Sequence, residues 1–296
     1  MQLSMVQVDA FTQRPLQGNP CAVVFDAEGL SPETMQRIAR EINLSETAFV
    51  LPANDADFRA RYFTPAEEIP FAGHPTVATT FAMLDSNRLP VPETSGVFTL
   101  RLEAGVIEIQ VTTDQPENPR ITMVQPAPEF LRTYDPADVL PAFGLEVEAG
   151  LPQAPVMTVS TGTPMLMIPL RDLDSLKKAA LDIEKYRRLK EAGDFFSPHL
   201  FVLRGITSEG TTFARHFGVP PDTPEDPFTG SATGCMAAYL WRHGLIEEPR
   251  FLAQQGHWME RPGEAFVEIL GSRDAIEGIK VGGYAAKVMD GKIYIP

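Results

Sequence analysis

Cysteine is nearly absent: the 296-residue chain carries only Cys21 and Cys235. A pair so far apart excludes a disulfide framework and fits a reducing compartment, where such residues are ordinarily buried thiols. Histidine is scarce as well, with five residues and no HxxxH or HxH spacing, so no metal site is expected. No GxGxxG follows a strand and no GxxxxGK[ST] occurs, so no nucleotide cofactor has a cradle. Long apolar runs are missing: none approaches the roughly 18 residues a membrane span needs. The opening MQLSMVQVDAFT lacks a basic leader region, carries Asp9 early, and reads as a strand rather than a signal peptide. Positive charge is in deficit, 25 basic against 39 acidic residues for a net of -14. That balance argues against nucleic acid and anionic membrane surfaces as partners. A soluble cytoplasmic protein is expected, and its length suits two domains of ordinary size.

What is present alternates between strands and helices. CAVVFDA at 21–27 reads as a strand, and SPETMQRIAREI follows with Ser31 as N-cap, Pro32 at the first helical position, and Met35, Ile38, Ala39 and Ile42 on one stripe. TAFVLPA and FRARYF read as strands. GVFTLRLEAGVIEIQVTT reads as a hairpin turning at Ala104-Gly105. Prolines cluster in ENPRITMVQPAPEF, which places a lobe boundary near residue 120. The expected lobes are 1–120 and 121–296, with the C-terminal strand able to return to the first. The second half begins with the strand pair VMTVSTGTPMLMIPL. DSLKKAALDIEKYRRLKEAG then reads as one long helix with Leu176, Ala180, Ile183 and Tyr186 on its buried stripe.

The halves repeat each other. GNPCAVV answers GTPMLMI, TAFVL answers HLFVL, FRARYF answers FARHF, and FAGHPTVA answers FTGSATGC, in the same order and offset by about 150 residues. An ancient duplication follows, and with it two similar lobes around a cleft. No Asp, Glu, Lys or Arg occurs from Ile69 to Leu84 or from Pro227 to Trp241, so each stretch is a helix buried on all sides. Short alternating strands flank both, which predicts an α+β fold in which each lobe curls a sheet around one central helix. Gly73-His74-Pro75 and Thr229-Gly230-Ser231 stand at the two helix starts. Unpaired N–H groups and the helix dipole make such starts anion sites. The same pattern also describes two capped core helices with glycine for close packing, and pattern alone does not choose.

Individual candidates are open in the same way. Glu46, in NLSETAFV, is either a solvated loop carboxylate or, projecting into a closed cleft, a general acid/base. Asp226, in PEDPFTGS, is either a helix-start charge or a site carboxylate. His74 is either a helix-start hydrogen-bonding group or a cleft residue. Cys21 and Cys235 lack activating neighbours and read as core thiols.

The blocks GNPCAVV, LSETAFV, RYFTPAEEIPFAGHPTVAT, EDPFTGSATG, QQGHWMERPG and VGGYAAKVMDGKI resemble, in order and spacing, the phenazine-biosynthesis PhzF-like family of the diaminopimelate epimerase-like fold, over nearly the whole chain. The resemblance implies two pseudo-symmetric lobes, each a β-barrel around a central helix. It implies Glu46 as acid/base, Asp226 as its partner in binding polar groups of the substrate, and His74, Gly73, Gly230 and Ser231 lining the cleft. It also suggests a homodimer, in keeping with sheet edges that need cover. Diaminopimelate epimerases use two cysteines at the starts of the central helices. Ala72 and Thr229 stand at the matching places here, so a two-thiol mechanism is excluded. The expectation is a cofactor-independent isomerase that shifts a proton, and with it a double bond, within a small carboxylated substrate. Its rival is a binding or scaffold protein with the same cleft and no turnover. A binder needs anion donors but no base, so Glu46 together with Asp226 and His74 favours the enzyme.

Overall fold

The computed structural model describes residues 1–114, 118–219 and 223–295. The first half contains β1 (Gln2–Ala10), β2 (Asn19–Val24), α1 (Pro32–Ile42), β3 (Glu46–Leu51), β4 (Phe58–Phe63), β5 (Glu68–Ile69), α2 (Gly73–Asp85), β6 (Ser95–Leu102), β7 (Gly105–Thr112) and β8 (Arg120–Gln125). The second contains β9 (Glu129–Tyr134), α3 (Pro136–Val139), β10 (Val156–Ser160), β11 (Pro164–Pro169), α4 (Leu173–Lys178), α5 (Ile183–Ala192), β12 (Ser197–Val202), β13 (Thr212–Phe217), β14 (Glu225–Asp226), α6 (Gly230–Arg242), β15 (Arg250–Gln255), β16 (Gly263–Ser272), β17 (Ala275–Gly283) and β18 (Ala285–Tyr294). Among the described residues no helix is long and apolar enough to cross a membrane.

The strands form one 18-stranded hydrogen-bonded sheet with a repeated plan. One run is β18-β1-β2-β3-β4-β6-β7-β8 and the other β9-β10-β11-β12-β13-β15-β16-β17, joined where β8 pairs antiparallel with β17. Each run has parallel pairs at corresponding places, β2 with β3 and β4 with β6 against β11 with β12 and β13 with β15. Helix α2 packs on β1, β2, β3, β8 and β18, and α6 on β10, β11, β16 and β17, so each run curls about one helix. Both helices are buried on every side: all of Gly73–Leu84 and all of Gly230–Leu240 lie inside. Such helices have no polar face to show water, as the uncharged stretches require.

Three local expectations are corrected. The hairpin turns at Glu103-Ala104, and Gly105 is the first residue of β7 with a φ of 134° that favours glycine. The long helix is two helices. Asp182 accepts from the N–H of Lys185 and starts α5, while α4 has already ended at Lys178. This rotates the stripe, so Leu176, Ala179 and Tyr186 are buried while Ala180 and Ile183 are exposed. The third concerns the repeat. Cys21 pairs with Glu46 and Met165 with Ser197 in the parallel ladders, while Ala48 faces Tyr62 and His199 faces His216 across the antiparallel ones. Glu46 therefore occupies the place of Ser197, and TAFVL and HLFVL match one residue out of register. In a strand that slip exchanges faces: Val50 and Phe201 point to the central core, whereas Phe49 and Leu200 point away from it. The proline-rich boundary stretch begins at Glu117, outside the described residues.

The candidate active site

The two buried helices meet head to head. A Cβ on Gly73 would lie 2.9 Å from the backbone N of Ser231 and 3.0 Å from Cα of Gly230. A Cβ on Gly230 would lie 2.9 Å from the ring of Phe11, which itself holds a left-handed φ of 62° and stacks on Phe228 at 4.3 Å. Only glycine lets the starts approach this closely. Neither N-cap residue, Ala72 or Thr229, caps its helix with a side-chain hydrogen bond. The first-turn N–H groups thus lack their usual internal partner at a cleft of about 910 Å³. Gly73, His74, Gly230, Ser231, Glu46 and Asp226 all line that cleft.

Each acidic group reaches it through local structure. Helix α1 ends in Asn43, whose left-handed φ of 54° turns the chain so that Ser45 and Glu46 open β3 at the cleft. Glu46 shares the face of Ala48 and Val50, toward α2. Its side chain is 16% exposed, and Oε2 stands 3.2 Å from Nε2 of the buried His74. On the other side, Arg215 forks onto Glu225 at 2.8 and 2.7 Å, pinning β14 to β13 and delivering Asp226 just ahead of α6. The first half has the same brace, Arg61 on Glu68 at 2.6 Å, ahead of α2.

Asn19 joins the two sides. Its Nδ2 donates to Asp226 Oδ1 at 2.7 Å and to the Phe228 carbonyl at 2.8 Å, and lies 3.0 Å from Nδ1 of His74. Asp226 also accepts from Ser45 at 3.1 Å and from Thr229 at 2.5 Å. Gln255 donates to the Asp226 carbonyl at 2.7 Å and accepts from the N–H of Thr229 at 3.2 Å. Burial pushes the His74 imidazole down to about 3, against an opposing pull from the Pro20 carbonyl, so the ring is neutral. Burial pushes Asp226 up to about 6, while hydrogen bonds from Thr229, Asn19 and Ser45 restrain it and Glu225 adds to the rise.

The six residues singled out from sequence surround one cleft. Asn19, Ser45 and Gln255 belong to the same network and were not singled out. Their signal lay in the motif blocks, where Asn19 of GNP corresponds to Thr163 of GTP in the repeat. Both thiols are buried; burial raises Cys21, with the charge of Glu46 adding, and raises Cys235 to about 11. No group of three or more candidate metal ligands occurs among the described residues.

The sequence profile PhzC-PhzF, described as phenazine biosynthesis-like protein, matches residues 8–291. The trans-2,3-dihydro-3-hydroxyanthranilate isomerase of Pseudomonas aeruginosa is 33% identical over 295 residues, covering 98% of this chain and 99% of that one. The crystal structure of a Bacillus anthracis phenazine biosynthesis protein of the PhzF family superposes with a TM-score of 0.89 at 31% identity over the full length of both chains. A hydroxyproline epimerase from Agrobacterium vitis, 14% identical, shares the fold at a TM-score of 0.66, covering 99% of this chain and 92% of that one. The chain carrying this cleft belongs to the phenazine biosynthesis-like PhzF family and is an isomerase.

Proposed function

We propose that the protein moves a proton between two carbons of a small carboxylated substrate without a cofactor, using Glu46 as the base that removes it and the acid that returns it. One observation carries this reading. The carboxylate of Glu46, beside the neutral imidazole of His74, shares a cleft with two abutting helix starts. The N–H groups of Gly73, Gly230 and Ser231 suit a substrate carboxylate and the negative charge that spreads onto it as the proton leaves. Glu46 takes the proton from carbon, the double bond shifts, and the same carboxyl returns the proton to the new carbanionic carbon, so charge and atoms balance. Neutral His74 orients Glu46 without competing for the proton. Asp226, with Asn19, receives the substrate's polar groups. Two open edges, β9 and β18, support association into a homodimer.

The test uses trans-2,3-dihydro-3-hydroxyanthranilate, the substrate named for the Pseudomonas relative, together with a panel of unsaturated carboxylic acids. Substrate deuterated at its acidic carbon is turned over once in ordinary water, and deuterium at the new carbon is read by mass spectrometry. Retention above background fits one carboxyl that takes and returns the proton in a closed cleft. Complete washout, with a second residue whose replacement blocks only protonation, would replace this scheme by a two-base one. Binding of acids with no exchange or turnover across the panel would favour a silent binding protein. Sedimentation at a single monomer mass across micromolar concentrations would remove the dimer.

A further inference from the structure

A second polar feature of the cleft lies outside the network of Glu46 and Asp226. His199 and His216 face each other across β12 and β13, with their Nδ1 atoms 3.3 Å apart. Both rings are buried, and both point to the central core side of the sheet with Phe201 and Ala214. His216 lines the cleft, and its backbone is paired with that of Asp226. The equivalent place in the first half is Tyr62, which turns away and hydrogen-bonds Thr76 of α2 at 3.0 Å. An imidazole at this place in the sheet is therefore peculiar to the second half and forms no part of the duplicated frame.

The pair fixes which nitrogen carries each proton. Burial holds both rings neutral, and His216 further depresses His199. Two facing Nδ1 atoms need one hydrogen between them. If His216 supplied it, His199 would carry its proton on Nε2, an atom sealed in the core without a partner. Unpaired buried N–H groups are rarer than unpaired acceptors. His199 thus donates from Nδ1, which leaves His216 protonated on Nε2, the nitrogen not engaged with His199.

We propose that His216, held in the Nε2–H form by His199, is a specificity-determining residue that donates a hydrogen bond to a second acceptor oxygen of the substrate, apart from the carboxylate at the helix starts. This rests on the carboxylate-binding reading above. It selects small acids bearing a carbonyl, hydroxyl or further carboxyl oxygen on the side toward β13. His199 acts through His216 as a positioning residue.

Two measurements test it. Imidazole nitrogen NMR of the intact protein is expected to show His216 protonated on Nε2 and His199 on Nδ1, with His199→Leu giving a mixture of His216 forms. Calorimetry then compares 3- and 4-acetylbenzoate with their isopropenyl counterparts, which have CH2 in place of the acceptor oxygen. At least one acetyl probe should bind about tenfold more tightly than its counterpart. His216→Leu should abolish the preference, and His216→Gln, which keeps a donor, should retain part of it. A proton on Nδ1 of His216, equal binding within both pairs, or a preference that survives His216→Leu would each overturn the assignment. Failure of every benzoate to bind would remove the helix-start anion reading, and this proposal with it. Equal binding within the pairs removes the His216 role alone.

Discussion

Asn19, Glu46, Tyr62, Ile69 and His74 of the first half occupy the places of Thr163, Ser197, His216, Asp226 and Ser231 of the second. The frame around them has hardly changed. Each half keeps its Arg–Glu fork, an arginine over a phenylalanine ring at 5.3 or 4.6 Å, and a glycine at the helix start. The groups that can exchange a proton or hold one in place have diverged. In the proposed scheme the first half supplies the base and the second the half-buried Asp226, and Asn19 hydrogen-bonds Asp226 from the first-half side. Ser197, at the place of Glu46, donates to the sulfur of Met165 at 3.2 Å and offers no base. Under the proposed scheme, the duplicated fold carries its proton chemistry on one side.

The largest effect should come from Glu46→Gln. Turnover of an active substrate is expected to fall about 10²–10⁴-fold, with thermal unfolding close to that of the unchanged protein, because size and shape are kept. Moving the carboxylate across in the double variant Glu46→Ser, Ser197→Glu should not restore turnover, since the new site lacks the neighbours Asn19 and His74. Steady-state rates and melting curves check both, and recovered activity in the swapped protein would erase the asymmetry.

Crowding the meeting point comes next. Gly73→Ala and Gly230→Ala each force a methyl against backbone or the Phe11 ring, and overpacking of this kind costs about 1–3 kcal/mol. Denaturant unfolding measures that loss. A larger loss of affinity for carboxylic acids than Ser231→Ala produces should accompany it, because Ser231→Ala keeps the backbone N–H.

Asp226 and His74 differ in the sign of their pH dependence. Asp226 is raised from 3.8 to about 6, so its contribution to stability is fully present below pH 3.8 and lost as pH rises through 6. His74 is lowered from 6.5 to about 3, so its contribution is present above pH 6.5 and lost as pH falls toward 3. Unfolding free energies from pH 4 to 8 should therefore rise more with pH in Asp226→Asn than in the unchanged protein. The His74→Asn variant should lose the acid-side decline. A limb near pH 6 in kcat/KM is expected to vanish in Asp226→Asn.

The smallest effect should follow replacement of both thiols. Cys21→Ala with Cys235→Ala should leave activity within about twofold while lowering stability modestly, as loss of small buried groups does. Inactivation without unfolding would revive a thiol mechanism and, with it, a symmetric site.

Much of this was legible in the sequence because both its periodicity and its lack of charge have direct structural meaning. Uncharged runs at 69–84 and 227–241 can only be buried, and glycine at both starts allows them to touch. Glu46, His74 and Asp226 were legible through motif blocks. What escaped depends on register and through-space partners. TAFVL and HLFVL look aligned as strings, yet hydrogen bonding to Cys21 and Met165 sets them one residue apart. Asn19 and Asp226 are 207 positions apart, and nothing local in either stretch announces a 2.7 Å contact. The break at 179–182 was hidden because alanine-rich sequence continues a helix readily, while Asp182 restarts it only through one side-chain cap.

The pairing of β1 with β18 also bears on how the molecule is made. A chain emerging from the ribosome presents the second half's strands, β9 to β17, as one uninterrupted series, so that half can close as soon as residue 283 is free. The first run cannot: its outermost strand spans 285–294 and follows every other strand in the chain, leaving α2 with an uncovered flank until it emerges. Pairing over so great a separation in sequence is slow to form and exposes apolar surface while it waits. The half that holds Glu46 is thus the one that matures last, and truncation within β18 should strand it as an aggregation-prone intermediate before any defect reaches the second half.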